Sequence, residues 1–147
     1  MRLNSDLREF IELLNSRRVD YVIVGAHSLA FHGRPRYTGD LDILVSPDAA
    51  NAVKLVAMLI EFGFGEAGFK ESDFTQEAQV IQLGRAPNRI DLLTSLTGVT
   101  NAEAFADKVE ACTDGLPVYI VSKHNLIRNK PAAGRPQHLA DLAELER

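Results

Sequence analysis

Tyr21–Val45 reads YVIVGAHSLAFHGRPRYTGDLDILV, and the order of residue types in this stretch decides the fold. YVIV is a continuous apolar run too short for a helix, which predicts an interior strand. Gly25 ends it, AHSLAFHG supplies about two helical turns, and Gly33 with Pro35 stops them. A second strand is expected from about Tyr37 to Val45. On it Asp40, Asp42 and Leu44 share one face, and Leu41, Ile43 and Val45 share the other. Two acids on one exposed face, at the mouth of a turn that offers backbone N–H groups, point to a metal and a nucleotide.

Working outward, SDLREFIELLNSRR sets Leu7, Phe10, Ile11 and Leu14 on one stripe of an amphipathic helix. Ser5 or Asp6 is its expected cap, and Arg17 and Arg18 suit its negative pole. Pro47 opens a long helix that Gly63 stops, with Val53, Val56, Ala57 and Ile60 as its apolar side. AQVIQLG and NRIDLLTS, joined through residues 85–88, have the spacing of a hairpin. In the second of these, Arg89, Asp91 and Leu93 share one face while Ile90 and Leu92 share the other. NAEAFADKVE predicts a short helix capped by Asn101. GLPVYIV predicts a peripheral strand, since Pro117 suits an edge. Ser122 starts a helix to about Lys130, stopped by Pro131, and Gly134-Arg135-Pro136 turns into a final helix, QHLADLAELE.

Helical and strand-like segments alternate over 147 residues, without repeat, low-complexity tract or linker. That predicts one α/β (α+β) domain: a small mixed sheet with helices packed mainly on one side. Its core would span about residues 19–95, and a basic helical tail about residues 122–147. A net charge of −4 gives no global basic field, so any polyanion must be held locally. The single cysteine, Cys112, excludes an intrachain disulfide and fits a reducing compartment. With neither a signal-like apolar run at the start nor a run of membrane-spanning length, the expectation is a cytoplasmic protein with no membrane partner.

Asp91 lies on a strand that could pair beside the one bearing Asp40 and Asp42. Three carboxylates on adjacent strands repel by about 4 kcal/mol per close pair at an effective dielectric of about 20. A divalent cation can neutralise them, or some of the acids can stay protonated. Magnesium suits oxygen ligands and shares its shell with phosphates. The plainer alternative is that Asp40 and Asp42 are solvated at a strand start and Asp91 is unrelated. Aspartate-nucleophile phosphatases fit poorly, because here the apolar residues Ile43, Leu44 and Val45 follow the acids. The glycine turn offers Gly25, Ala26 and Ser28 to phosphate oxygens, and Arg34 and Arg36 bring positive charge just before the acids. Between Gly115 and Ala140 there is no acid, while Lys123, Arg128, Lys130 and Arg135 all occur. Lys123 is the best nucleotide contact among them.

Three patterns carry no site. Gly63–Gly68 spells G-x-G-x-x-G but follows a helix rather than a strand. His27 and His32 are five apart, on different helix faces, so no zinc pair is expected. Cys112 is expected to be a small core residue.

Tyr21–Val45 resembles the core of the nucleotidyltransferases of the DNA-polymerase-β-like superfamily, closest to small bacterial ones related to abortive-infection toxins and minimal nucleotidyltransferases. Gly25, Asp40, Asp42 and Asp91 match the family's glycine turn, acid pair and third acid, and His32-Gly33, Arg36 and Thr38 match a common subgroup pattern. The departure is Ala26, where the family usually carries Gly or Ser. The resemblance implies two-metal nucleotidyl transfer, with Asp40, Asp42 and Asp91 holding two magnesium ions (manganese as the alternative) and Asp91 as candidate base. Gly25, Ala26, Ser28, Arg36 and Lys123 would hold a nucleoside triphosphate. The acceptor would be an RNA, a protein or a small molecule, with a protein partner or second copy completing its site, and a toxin-antitoxin type system is one setting. The alternative is a catalytically weak nucleotide-binding or antitoxin-like module that works by binding a partner.

Overall fold

The computed structural model describes residues 5–32, 40–84, 89–113 and 115–133, without the side chains of residues 26, 29, 30 and 130–133. Among the described residues, five α-helices and six strands follow one another as α1 (Ser5–Ser16), β1 (Tyr21–Val24), α2 (Gly25–Phe31), β2 (Leu41–Val45), α3 (Ala49–Leu59), β3 (Val80–Leu83), β4 (Ile90–Leu93), α4 (Asn101–Ala106), β5 (Val109–Thr113), β6 (Leu116–Ile120) and α5 (Lys123–Ala133). The six strands form one sheet in the order β3-β4-β2-β1-β6-β5. β1 runs antiparallel to β2 and parallel to β6, and β2 runs parallel to β4. The β3–β4 and β5–β6 pairs are antiparallel hairpins. The small mixed sheet expected from the sequence is present.

The alternation read from the strands sorts their side chains onto two cores. Ile23, Leu41, Ile43, Val45, Ile90 and Leu92 face the larger one, under Leu7, Phe10, Ile11 and Leu14 of α1 and Ala52, Leu55, Met58 and Leu59 of α3. Val22, Val24 and Leu44 face a smaller one with Ala104 of α4 and Leu126 of α5. Every residue of β1 is therefore buried, as its unbroken apolar run requires. Asn51 is also buried, and its amide acts as a bracket. Its Oδ1 accepts from the Asp20 N–H at 2.7 Å, and its Nδ2 donates to the Ser46 carbonyl at 3.0 Å. The start of β1 and the end of β2 are so held to the first turn of α3.

Several sequence expectations change. The buried side of α3 is Ala52, Leu55, Met58 and Leu59, whereas Val53 and Ile60 are 55% and 59% exposed. The helix is apolar nearly all round, so two stripes one residue apart both satisfied helical spacing, and only packing chose between them. The cap of α4 is Thr100, whose hydroxyl accepts from the Glu103 N–H while the Glu103 carboxylate accepts from the Thr100 N–H; Asn101 is the first helical residue. The helix expected to reach Glu110 ends at Ala106, and β5 starts at Val109, which makes β6 an interior strand and leaves Cys112 exposed on the outer one. Pro117 is tolerated because β1 registers with β6 only at Ile23↔Ile120, beyond the proline. α5 begins as expected, with the Ser122 hydroxyl accepting from the Asn125 N–H, but runs past Pro131 to Ala133. The turn at residues 134–136 and the final helix expected after it lie outside the described residues.

The corrected face of α3 sets a comparison of two variants. Leu55→Ala should cost about 2–5 kcal/mol by opening a cavity in the larger core. Val53→Ala, two residues away, should change stability by less than about 0.5 kcal/mol. Urea unfolding of both, followed by circular dichroism, checks the assignment, and equal losses would refute it.

Candidate active site

The register of three strands builds the site. Asp42 lies opposite Val24, the last residue of β1, and beside Asp91 on β4. Residues that face each other in register project from the same side of a sheet. Asp42 and Asp91 therefore stand next to each other where β1 gives way to the Gly25 turn, at one end of the smaller core. Asp40 comes one residue before β2 rather than within it, and is still drawn to the same place. The agent is Arg89. Its Nη2 lies 3.1 Å from Asp40 Oδ2 and 3.2 Å from Asp91 Oδ2, while its Nε lies 3.1 Å from Asp91 Oδ1. In the sequence, Arg89 is visible only as sharing a face with Asp91. The signal was the one-residue spacing, which on a strand puts both side chains on one side.

Gly25 closes the site from the β1 side. Its φ is +71°, and a Cβ there would lie 2.3 Å from Asp42 Oδ2. The backbone conformation and the close approach of the carboxylate both demand glycine. Ser28 is fully buried and its hydroxyl donates to the Gly25 carbonyl at 2.6 Å, so this hydroxyl is taken up in shaping the turn. His27, only 5% exposed, is hydrogen-bonded to the Asp40 backbone, and its Nδ1 is buried without a hydrogen-bond partner. Burial holds this imidazole below its ordinary value, against the pull of the Asp40 contact, so it is neutral near pH 7. His32 binds the Val121 carbonyl through Nε2 at 2.8 Å, tying the end of α2 to the exit from β6.

The remaining expected contacts divide. Lys123 is exposed at the first position of α5, following Val121, whose N–H donates to the Ile23 carbonyl at 3.0 Å. It thus starts its helix at the sheet end where Gly25 lies. Arg128 of α5 is paired to the carboxylate of Glu103 on α4, which holds it against that helix and away from a polyanion role. The pairing keeps the Glu103 carboxyl well below the usual carboxylate range. Arg34, Arg36 and Arg135 lie outside the described residues, as do the side chains of Ala26 and Lys130.

The donors offered at this end of the sheet are carboxylate oxygens, the hard ligands that magnesium prefers. Asp91 Oδ1 is buried and accepts no directed hydrogen bond; its charge contact is with Arg89 Nε, which leaves it capacity for a further ligand. As arranged, however, no group of three or more acids, histidines or cysteines among the described residues converges closely enough to hold a metal ion. The donor set fits, and a guanidinium stands between its members. Electrostatic crowding is nonetheless evident. Burial first, then the neighbouring charges of Asp91 and Asp40, push the Asp42 carboxyl up to about 6. A folded-state value above the unfolded one means that the fold favours neutral Asp42. The resulting stability is fully present below about pH 4 and is lost as pH rises through about 6. In chelator at pH 8, Asp42→Asn should therefore be more stable than the native chain by about 2–3 kcal/mol, with the difference vanishing towards pH 4. Denaturant unfolding across that pH range measures it, and a pH-independent difference would sink the assignment.

No family model matches the chain, and no curated protein does. Solved structures do. The lincosamide antibiotic adenylyltransferase LnuA, in its lincomycin-bound crystal structure, is 15% identical and superimposes with a TM-score of 0.63, covering 98% of this chain and 96% of its own. A candidate nucleotidyltransferase from Thermotoga maritima is 17% identical with a TM-score of 0.62, covering 96% and 91%. The antibiotic-resistance factor ANT(2'')-Ia is 16% identical with a TM-score of 0.62, covering 96% and 80%. At such identities the likeness is one of architecture, and the chain shares the fold of these solved nucleotidyltransferase structures.

Proposed function

We propose that this chain is a metal-dependent nucleotidyltransferase, moving a nucleoside monophosphate from a triphosphate to a hydroxyl-bearing acceptor. The observation that carries the reading is the register of Asp42 beside Asp91 and opposite the end of β1, with Asp40 drawn in by Arg89. In a fold shared with nucleotidyltransferases, that places carboxylates where the glycine turn presents backbone N–H groups. Asp40, Asp42 and Asp91 would hold magnesium or manganese, which when bound neutralises charge on the phosphates and lowers the pKa of an acceptor hydroxyl.

The chain's own residues bind, orient and move a proton. Gly25 and Ala26 supply turn N–H groups to phosphate oxygens, and Lys123 and Arg36 supply positive charge. The acceptor oxygen bonds to the α-phosphorus as the α–β phosphoanhydride bond breaks, its proton passing to the Asp91 carboxylate and pyrophosphate leaving. His27, neutral and buried, fixes the backbone of Asp40. The antibiotic-directed proteins among the structural neighbours favour a small-molecule acceptor over RNA or protein. The pairing of Arg128 with Glu103 supports the same preference, since it removes one charge from the expected basic tail.

A second reading is supported by the position of Arg89 between the acids. On it the chain binds a triphosphate weakly or tightly without transferring anything, and works as a partner-binding or antitoxin-like module. One assay separates the two. The native chain, Asp40→Ala and Asp91→Ala are incubated with magnesium and each α-labelled nucleoside triphosphate, in arms containing aminoglycoside and lincosamide alcohols, cell RNA or cell protein. The native chain should label an acceptor, and each variant should lose at least about a hundredfold in rate. Binding of triphosphate without transfer in any arm supports the module. No magnesium-dependent triphosphate binding defeats both.

A further inference from the structure

Arg89 is placed by its backbone at the entrance to an interior strand. It is the residue immediately before β4, and its carbonyl accepts the N–H of Leu41 at 2.9 Å, which fixes its backbone beside the start of β2. Its guanidinium then spans two carboxylates: Nη2 sits 3.1 Å from Asp40 Oδ2 and 3.2 Å from Asp91 Oδ2. One cationic nitrogen so bridges an oxygen from each of two acids, one just before β2 and one on β4. The third contact, Nε to Asp91 Oδ1 at 3.1 Å, is a charge contact and not a directed hydrogen bond, and neither atom has another hydrogen-bond partner. The fork is thus incompletely satisfied. Its side chain is 36% exposed, so the guanidinium has a path out to solvent, whereas the Asp91 side chain is only 12% exposed.

A planar, singly charged guanidinium and a divalent cation solve the same electrostatic problem at this place, but cannot do so together. Two like charges sharing the same oxygens repel. We propose that Arg89 is a resident counter-ion of the carboxylate cluster, holding Asp40 and Asp91 together in the metal-free chain and yielding its place to a divalent cation. Because it competes for the same oxygens, it lowers the cluster's affinity for the ion, while keeping the acids from forcing the sheet end apart. This rests on the metal-dependent reading above and adds to it a residue that sets when the site loads. Arg89 is a positioning residue, acting through Asp40 and Asp91.

The test is manganese binding, read from the electron paramagnetic resonance of the free ion, to the native chain, Arg89→Met and Arg89→Lys. Arg89→Met keeps the stem and removes the charge. It should bind manganese about tenfold more tightly than the native chain and gain more in melting temperature when the ion is added. Arg89→Lys keeps a point charge without the fork and should fall between them, and it carries the test if Arg89→Met does not fold. In the native chain, the Arg89 side-chain Nε–Hε resonance should shift on titration with magnesium. Manganese binding that is equal or weaker in both variants overturns the counter-ion role alone. No manganese binding by any of the three overturns it together with the metal-dependent reading.

Discussion

Everything at the working end of this chain follows from the crowding of carboxylates imposed by strand register. β2 lies between β1 and β4, antiparallel to one and parallel to the other, and its second residue is Asp42. That register cannot slip by one residue without moving Leu41, Ile43 and Val45 out of the larger core. Burial of aliphatic side chains thereby fixes the acids beside each other, against a repulsion of several kcal/mol. The raised Asp42 carboxyl and the bridging Arg89 are two consequences of the same constraint.

The scaffold meets that cost with interactions placed away from the site. The Asn51 amide braces the start of β1 and the end of β2, and the two cores pack opposite faces of β2. On the other side, the His32–Val121 bond and the buried Asn125 amide, which donates to the Glu103 carbonyl at 3.3 Å, tie α2, α4 and α5 to one another and to the sheet. A rigid frame allows a strained, charged end to persist, which is the usual division between scaffold and site. Among the described residues, no helix is long and apolar enough to cross a membrane.

Much of the frame was legible because the relevant signals are local. The stripe of α1, the unbroken run of β1 and the β3–β4 hairpin all sit where their periodicities put them. The errors have a common origin in segments whose local signals were degenerate. α3 is apolar on nearly every side, so its buried stripe could be set one residue off. VEACT has no helix breaker before it, so the helix expected from Asn101 reaches Glu110, into the first two residues of β5. Pro117 suggested an edge, but the true edge is the strand that pairs with it, and Cys112 is exposed as a result.

The sequence by itself determined which residues could make the site: a glycine after an apolar strand, acids at positions 40 and 42, and an acid at 91, all readable from spacing along the chain. It determined the mixed α/β class for the same reason, since periodicity is written residue by residue. Tertiary structure alone decided that Asp91 stands beside Asp42, because the pairing of β2 with β4 joins residues nearly fifty positions apart in the chain. It alone decided that Ser28 turns inward, that Arg128 is claimed by Glu103, and that Arg89 reaches across two strands to bind two acids. Charge and hydrogen-bonding capacity belong to the residue. Which partner satisfies them depends on distances that only packing sets.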